Sequence, residues 1–221
     1  MAIRVIDDTK LQNIAVAIQG KDSGGVMTVD EMPTRIAAIP TQDNALLNSL
    51  INRSITSIEN SEVTSIGASA FYACTNLTSV SFPNVTSIGT GAFQNCTNLT
   101  SVSLPNVTSI GANAFNNCNL TSVSLPNATS IGVNVFYNCN LTSVSFPNVT
   151  SIGASAFNNC TNLSIVILGK RATLSNSNAF SGTDNAITYV QPEDLSWYST
   201  ATNWSALYTA GRVKSIEELP A

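Results

Sequence analysis

Five cysteines are the residues whose chemistry and spacing first suggest a site. Cys74, Cys96, Cys118, Cys139 and Cys160 recur at intervals of 22, 22, 21 and 21 residues. Thiolates bind zinc and form disulfides, but zinc sites usually pair cysteines at C-x-x-C spacing, and an odd number cannot all pair within one chain. The spacing favours a column of small, buried, reduced side chains. Disulfides between neighbouring repeats are the alternative.

Other chemistry-bearing residues are few. The chain has no histidine, which removes Ser-His and Cys-His nucleophiles and histidine metal ligands. No glycine-rich phosphate loop lies between a strand and a helix pattern. The carboxylates lie outside the central repeats, so they suggest no buried acid/base pair there. The sequence therefore predicts no enzyme, no metal site and no cofactor.

The charges are confined to the two ends of the sequence. All 22 charged residues lie in 1–62 or 170–221, and the net charge is -4. Without a basic stripe, nucleic acid is not an expected partner. No apolar run reaches the roughly 20 residues of a membrane span, and the N-terminus lacks the pattern of a secretory signal. Cell-surface, extracellular, virion-associated and cytoplasmic locations all stay open.

The elements that position these residues come from a repeat. The repeat reads L-T-S-V-S-[F/L]-P-N-[V/A]-T-S-I-G-x-x-[A/V]-F-x-x-C, with Phe71, Phe93, Phe115, Phe136 and Phe157 at the same position. A fixed period in the twenties predicts a solenoid of stacked coils. The period shortens by one residue where C-T-N-L becomes C-N-L, which predicts a loop there.

Each repeat predicts a short strand over L-T-S-V-S-F. The alternation points Val80 and Phe82 inward and Ser79 and Ser81 outward, and Pro83 ends the strand. Stacking then produces parallel strands with outward columns of serine. These columns either bind a ligand or simply form a solvated face. They contain Ser79, Ser81, Ser101, Ser103, Ser122, Ser124, Ser143 and Ser145.

These residues carry a family resemblance. The pattern L-x-x-V-x-F-P-N-V-x-x-I-G-x-x-A-F over roughly 55–190 resembles the BspA-like, Treponema-type leucine-rich repeats. It departs from the commoner pattern in having Val85 where a ladder asparagine is usual. The resemblance implies an α+β leucine-rich repeat solenoid with a parallel sheet on one face. It also implies a non-enzymatic bacterial protein that adheres to a protein or glycan on a cell surface.

The sequence predicts three regions along the chain. Residues 1–42 form a small helical module, 43–190 the solenoid with a helical N-cap at 43–54, and 191–221 a helical C-terminal cap. Residues 1–39 are similar to short segments of phage-tail and prophage structural proteins. A phage-tail or receptor-binding role, with a virion partner docked through 1–39, is therefore the alternative function.

Aromatic residues gather near the C-terminus. Trp197, Tyr198 and Trp204 either stack on sugar rings as ligand-binding residues or close the last coil as a cap. Ile187 to Val190 is predicted to be the final strand.

Overall fold

The computed structural model describes residues 55–220. They form a stack of about seven coils. We number the coils 1 to 7 in chain order, and they begin at residues 55, 77, 99, 120, 141, 163 and 185. Coils 1 to 6 each contain two short strands separated by a turn and followed by a wide corner of turns. Strands pair in parallel with equivalent strands of neighbouring coils. This arrangement confirms the predicted parallel-strand solenoid.

The strands alternate along the chain between two sides of the stack. The odd-numbered strands occupy the L-T-S-V-S-F position of each coil, with a changed sequence in the first coil and the last two. They are β1 Ser57–Glu59, β3 Ser79–Ser81, β5 Ser101–Ser103, β7 Ser122–Ser124, β9 Ser143–Phe146, β11 Ile165–Leu168 and β13 Ile187–Val190. The even-numbered strands occupy the T-S-I-G position and are β2 Ser65–Ile66, β4 Ser87–Ile88, β6 Ser109–Ile110, β8 Ser130–Ile131, β10 Ser151–Ile152 and β12 Thr173–Leu174; the last strand is β14 Val213–Ser215.

Both columns of strands are interrupted between coils 3 and 4. The odd strands form one sheet of β1-β3-β5 and another of β7-β9-β11-β13-β14, and the even strands divide into β2-β4-β6 and β8-β10-β12. The interruption follows the first C-N-L corner, at 118–120, which makes coil 3 one residue shorter than coil 2. The second C-N-L corner, at 139–141, leaves the ladders beside it intact. The break therefore lies at the first of the two shortened corners only.

The core runs through the middle of the stack. Inward positions of successive coils align, as Val80 does with Val102 and Val144 with Val166. Stacked phenylalanine rings form a column in which Phe93 lies 5.3 Å from Phe115, and Phe115 lies 5.7 Å from Phe136, between ring centroids. Aromatic pairs in this geometry add about 0.5–1.5 kcal/mol beyond the area that they bury. One coil could not exclude water from these rings, so the stack is the stable unit.

The repeated glycine lets neighbouring coils approach backbone to backbone. A Cβ on Gly111 would lie 2.5 Å from the Thr90 nitrogen, and one on Gly153 would lie 2.5 Å from the Gly132 carbonyl carbon. Both distances are shorter than real Cβ contacts, so a larger residue would push the coils apart.

The wide corner bridges the interruption in the sheets. Its backbone hydrogen bonds join coils 3 and 4, from Asn113 N–H to the Val133 carbonyl (2.9 Å) and from Phe115 N–H to the Val135 carbonyl (3.0 Å). Side chains add a second connection. The Asn127 amide donates to the Pro105 carbonyl at 2.9 Å, and the Thr129 hydroxyl donates to the Thr108 carbonyl at 3.3 Å. The stack is therefore continuous although its sheets are not.

Helix is scarce within residues 55–220, so the predicted α+β class is not confirmed. The described helices are α1 Leu195–Thr200, α2 Ser205–Thr209 and the 3₁₀ helices Pro192–Asp194 and Ile216–Glu218. The wall opposite the odd strands is built from two-residue strands and turns, because each T-S-I-G segment pairs in parallel with the next coil. The described chain is thus mostly strands and turns.

The two ends differ from the predictions in different ways. Ile187–Val190 is not the final strand, because β14 pairs with it in parallel, from Thr188 to Val213 through Val190 to Ser215. Strand β14 lies within 191–221, which was assigned to a helical cap, so this segment contains both helix and strand. The predicted helical module at 1–42 and N-cap at 43–54 lie outside the described residues.

Candidate binding surface

The predicted serine columns lie side by side on the outer face of the odd strands. We call the eight residues Ser79, Ser81, Ser101, Ser103, Ser122, Ser124, Ser143 and Ser145 the serine face. The register places Ser79 beside Ser101 and Ser122 beside Ser143. Because the sheet is interrupted between β5 and β7, the serine face consists of two blocks of four residues rather than one continuous grid.

The hydroxyl groups beside the serine face are already used by the fold. Thr78 donates to the Thr56 carbonyl at 2.8 Å, Thr100 to Thr78 at 3.3 Å and Thr142 to Thr121 at 3.3 Å. Within residues 55–220, no side-chain hydrogen bond involves a hydroxyl of the serine face. The threonines therefore connect coils, whereas the serine hydroxyls are left for water or a ligand.

The serine face changes character at its C-terminal end. Ile165 and Ile167 occupy the positions next to Ser143 and Ser145, and Ile187 follows beside Ile165. All three isoleucines are half-buried although they lie on the outer face. We call Ile165, Ile167 and Ile187 the isoleucine step. Tyr189, next to Ile167 in register, is buried beside the 3₁₀ helix Ile216–Glu218, which contacts β13.

The isoleucine step was not among the residues selected from the sequence. L-S-I-V-I-L-G reads as an apolar strand, and apolar residues are assigned inward by default. Aligning it with L-T-S-V-S-F places Ile165 and Ile167 at the outward serine positions, and that substitution is the signal that could have found them.

The C-terminal aromatics lie away from the serine face and mostly inside the protein. Tyr198 and Trp204 have no exposed surface, and their rings meet edge to face at 4.9 Å. The Trp204 indole N–H donates to the Ala172 carbonyl at 2.6 Å, and the Tyr198 hydroxyl donates to the Lys170 carbonyl at 3.1 Å. Trp197 is half-buried against the same cluster. With no face exposed, Tyr198 and Trp204 cannot stack on a sugar ring.

The cysteines form the predicted buried column. All five are free thiols, and each of four Sγ atoms donates to a phenylalanine carbonyl of the preceding coil, as Cys139 does to Phe115 at 3.1 Å. Burial raises the pKa of Cys118 and of Cys139, and it raises the pKa of Cys160 to about 11. Neutral thiols of this kind are poor nucleophiles and poor metal ligands. Residues 55–220 contain no cluster of three or more histidine, cysteine or acidic side chains that could hold a metal ion.

Comparison with known families gives this architecture a name. The profile described as the BspA type leucine rich repeat region matches six copies, over residues 42–131 and 129–202. The chain belongs to this family. Leucine-rich repeat solenoids of this kind are generally non-enzymatic binding scaffolds, they bind proteins, and BspA-type members are typically surface-associated.

The fold is shared with a solved leucine-rich repeat structure. A leucine-rich repeat protein of T. pallidum is 30% identical, with a TM-score of 0.56 over 61% of this chain and 68% of its own. A leucine-rich repeat protein of Eubacterium ventriosum is also 30% identical, with a TM-score of 0.49 over 66% of this chain and 37% of its own. Curated proteins provide no significant match. Within residues 55–220, no helix of this BspA-type chain is long and apolar enough to span a bilayer.

Proposed function

We propose that this BspA-type chain is a non-enzymatic recognition module for adhesion to a cell surface. It binds a protein partner through the serine face and the isoleucine step. The observation that carries the proposal is a difference between two sets of hydroxyl groups. Threonine hydroxyls form hydrogen bonds between neighbouring coils, whereas the hydroxyls of the serine face have no protein partner within residues 55–220.

The chemistry of the face favours an uncharged contact region on the partner. Residues 63–169 contain no charged side chain, so electrostatic steering contributes little across the serine face. Serine hydroxyls donate and accept, which suits backbone and amide groups of a protein surface. The isoleucine step adds apolar area, and removing apolar area from water on binding is favourable. We therefore place the specificity of binding at the isoleucine step.

The test begins with purified protein on a panel of immobilised extracellular-matrix proteins and on a printed glycan array. The variant Ile165→Ser with Ile167→Ser gives β11 the S-V-S sequence of the neighbouring strands, so it should fold. We expect its affinity for a matrix protein bound by wild type to fall about tenfold or more, or about 1.4 kcal/mol.

A matched control keeps the substitutions off this surface. Ser109→Ala with Ser130→Ala changes two residues of the even strands, and its affinity should stay within about twofold of wild type. Binding that survives the isoleucine substitutions, or a wild-type protein that binds none of the matrix proteins, contradicts the proposal. Binding to glycans alone would replace the protein partner with a carbohydrate one.

The alternative function, a phage or prophage tail component, rests only on the expectation from the sequence that residues 1–39 resemble tail proteins. Tail genes beside the coding sequence and co-purification with virions would support it. Without these, the adhesion proposal stands alone.

A further inference from the structure

A shallow groove of about 410 Å³ crosses the wide corner of coils 1 to 4, and neither the family nor the serine face accounts for it. Its lining includes Asn95, Asn117 and Asn138, together with Thr75 and Thr97 from coils 1 and 2. Asn119 and Asn140 of coils 3 and 4 also line it. We call it the asparagine groove.

Two of the corners that line the groove are one residue shorter than their neighbours. Coils 1 and 2 carry C-T-N-L, with Thr75 and Thr97 after the cysteine. In coils 3 and 4 the threonine is missing, so Cys118 is followed directly by Asn119 and Cys139 by Asn140. The lining of the groove therefore includes both shortened corners beside the two longer ones. The first contraction coincides with the interruption of both sheets.

Three of the lining asparagines form an ordered ladder of amides. The Asn117 Nδ2 donates to Asn95 Oδ1 at 2.9 Å, and the Asn138 Nδ2 donates to Asn117 Oδ1 at 2.9 Å. The backbone φ of these asparagines is between 55° and 63°, a left-handed conformation that asparagine tolerates better than most residues. The backbone and the ladder together fix the orientation of each side chain.

The ladder leaves hydrogen-bonding capacity for a ligand. An asparagine amide has two N–H groups and an oxygen with two lone pairs. Each rung uses one N–H of the donor and one lone pair of the acceptor. Each asparagine of the ladder therefore keeps a second N–H group and a second oxygen lone pair. Asn140 donates to Asn119 in the same way, so the groove repeats the arrangement on a second row. Successive rungs are spaced by the strand repeat of about 4.8 Å.

The composition of the groove restricts the class of ligand. Its lining has no charged side chain and no aromatic ring, and only Ala73 and Cys118 are apolar. An anion or cation would find no counter-charge there, and a peptide would find no apolar pocket for its side chains. Hydroxyl groups, which both donate and accept, match paired amide N–H and C=O groups. We propose that the asparagine groove binds an uncharged oligosaccharide.

The deciding variant lengthens the two shortened corners to the form found in the other coils. Inserting one threonine after Cys118 and one after Cys139 restores the C-T-N-L corner of coils 1, 2 and 5, so the stack should keep its thermal stability. The probes are neutral mannose, glucose, galactose and N-acetylglucosamine oligosaccharides on a printed array, with hits measured by titration calorimetry. We expect wild type to bind at least one of them and the insertion variant to bind it about tenfold more weakly or worse.

Two further variants separate this site from the proposed adhesion surface. Asn119→Ala with Asn140→Ala removes the second amide row without changing loop length, and it should weaken the same oligosaccharide. Ile165→Ser with Ile167→Ser should leave oligosaccharide binding unchanged. The proposal is overturned if wild type binds no neutral oligosaccharide, if the folded insertion and alanine variants bind as wild type does, or if the groove binds only peptides.

Discussion

The middle coils and the C-terminal end use the same fold with different chemistry. Coils 2 to 5 are nearly identical, carry no charge and are held together by repeated ladders of backbone, threonine, asparagine and cysteine groups. The end has charged residues and single contacts, such as the ion pair of Arg171 with Asp194 at 2.7 Å and the Arg212 guanidinium on the Thr183 carbonyl. Repeated contacts stabilise coils 2 to 5, whereas contacts that occur once each cover the C-terminal end of the stack.

The difference shows where specificity can arise. Identical coils present identical groups, so the serine face by itself offers little to distinguish one partner from another. Coil 6 breaks the repeat with Ile165 and Ile167, and coils 3 and 4 break it by losing one residue each. Both candidate sites lie where the repetition is interrupted.

The largest expected effect is at the closed end. Trp204→Ala removes a fully buried ring that contacts Phe180 and Tyr198, together with the hydrogen bond to the Ala172 carbonyl. We expect a loss of about 5 kcal/mol in the free energy of unfolding, measured by urea denaturation. Trp197→Ala, at a half-buried position, should cost about 1–2 kcal/mol. Equal losses of unfolding free energy for the two variants would contradict the claim that Trp204, rather than Trp197, closes the last coil.

The next effect is in the middle of the phenylalanine column. Phe115→Ala leaves a cavity between Phe93 and Phe136 and should cost about 3–4 kcal/mol in the same assay. Tyr72→Ala, at a ring that is 43% exposed, should change stability by about 0.5 kcal/mol or less. A Phe115→Ala protein as stable as wild type would show that the rings do not stack as a column.

The buried thiol of Cys160 predicts that stability falls at alkaline pH. Folding raises the pKa of Cys160 from 9.0 to about 11, so the folded state holds this proton more tightly than the unfolded state. The contribution is complete below pH 9 and is lost as pH rises to about 11, a decrease of about 2 kcal/mol. Urea denaturation at pH 8 and pH 10.5 measures it, with Cys160→Ala as the control. If Cys160→Ala shows as steep a decrease as wild type, the thiol is not the cause.

The smallest effect separates the two kinds of hydroxyl in the middle coils. Ser101→Ala with Ser103→Ala should change the free energy of unfolding by about 0.5 kcal/mol or less, because these hydroxyls have no protein partner within residues 55–220. Thr108→Val should cost about 1 kcal/mol, because its hydroxyl donates to the Thr86 carbonyl at 3.1 Å. The reverse order would mean that the serine hydroxyls serve the fold rather than recognition.

The period of the sequence was sufficient to predict the strands, their inward valines and phenylalanines, and the buried cysteine column. It could not predict the even strands, because a segment of two residues such as Ser87–Ile88 is too short to show an alternation. The interruption between β5 and β7 occurs at one shortened corner and not at the other, so the lengths of the coils alone do not predict it.

The candidate sites were only partly predictable, for a related reason. The serine positions follow from the repeat, but the outward isoleucines look like core residues until the coils are aligned. Strand β14 returns to the sheet after two helices, so its pairing depends on contacts distant in sequence. Trp204 illustrates the opposite case, because an aromatic residue that could bind a sugar or close a core is assigned only by its burial.

Thiol labelling tests most directly whether successive coils keep one face buried and the other open. In the native protein, a maleimide reagent counted by mass spectrometry should label none of Cys96, Cys139 and Cys160, each of which is at most 1% exposed. In the Ser101→Cys variant, one added thiol should react rapidly while those three stay protected until urea unfolds the chain. Native labelling of the three cysteines, or protection of the thiol at position 101, would contradict the account.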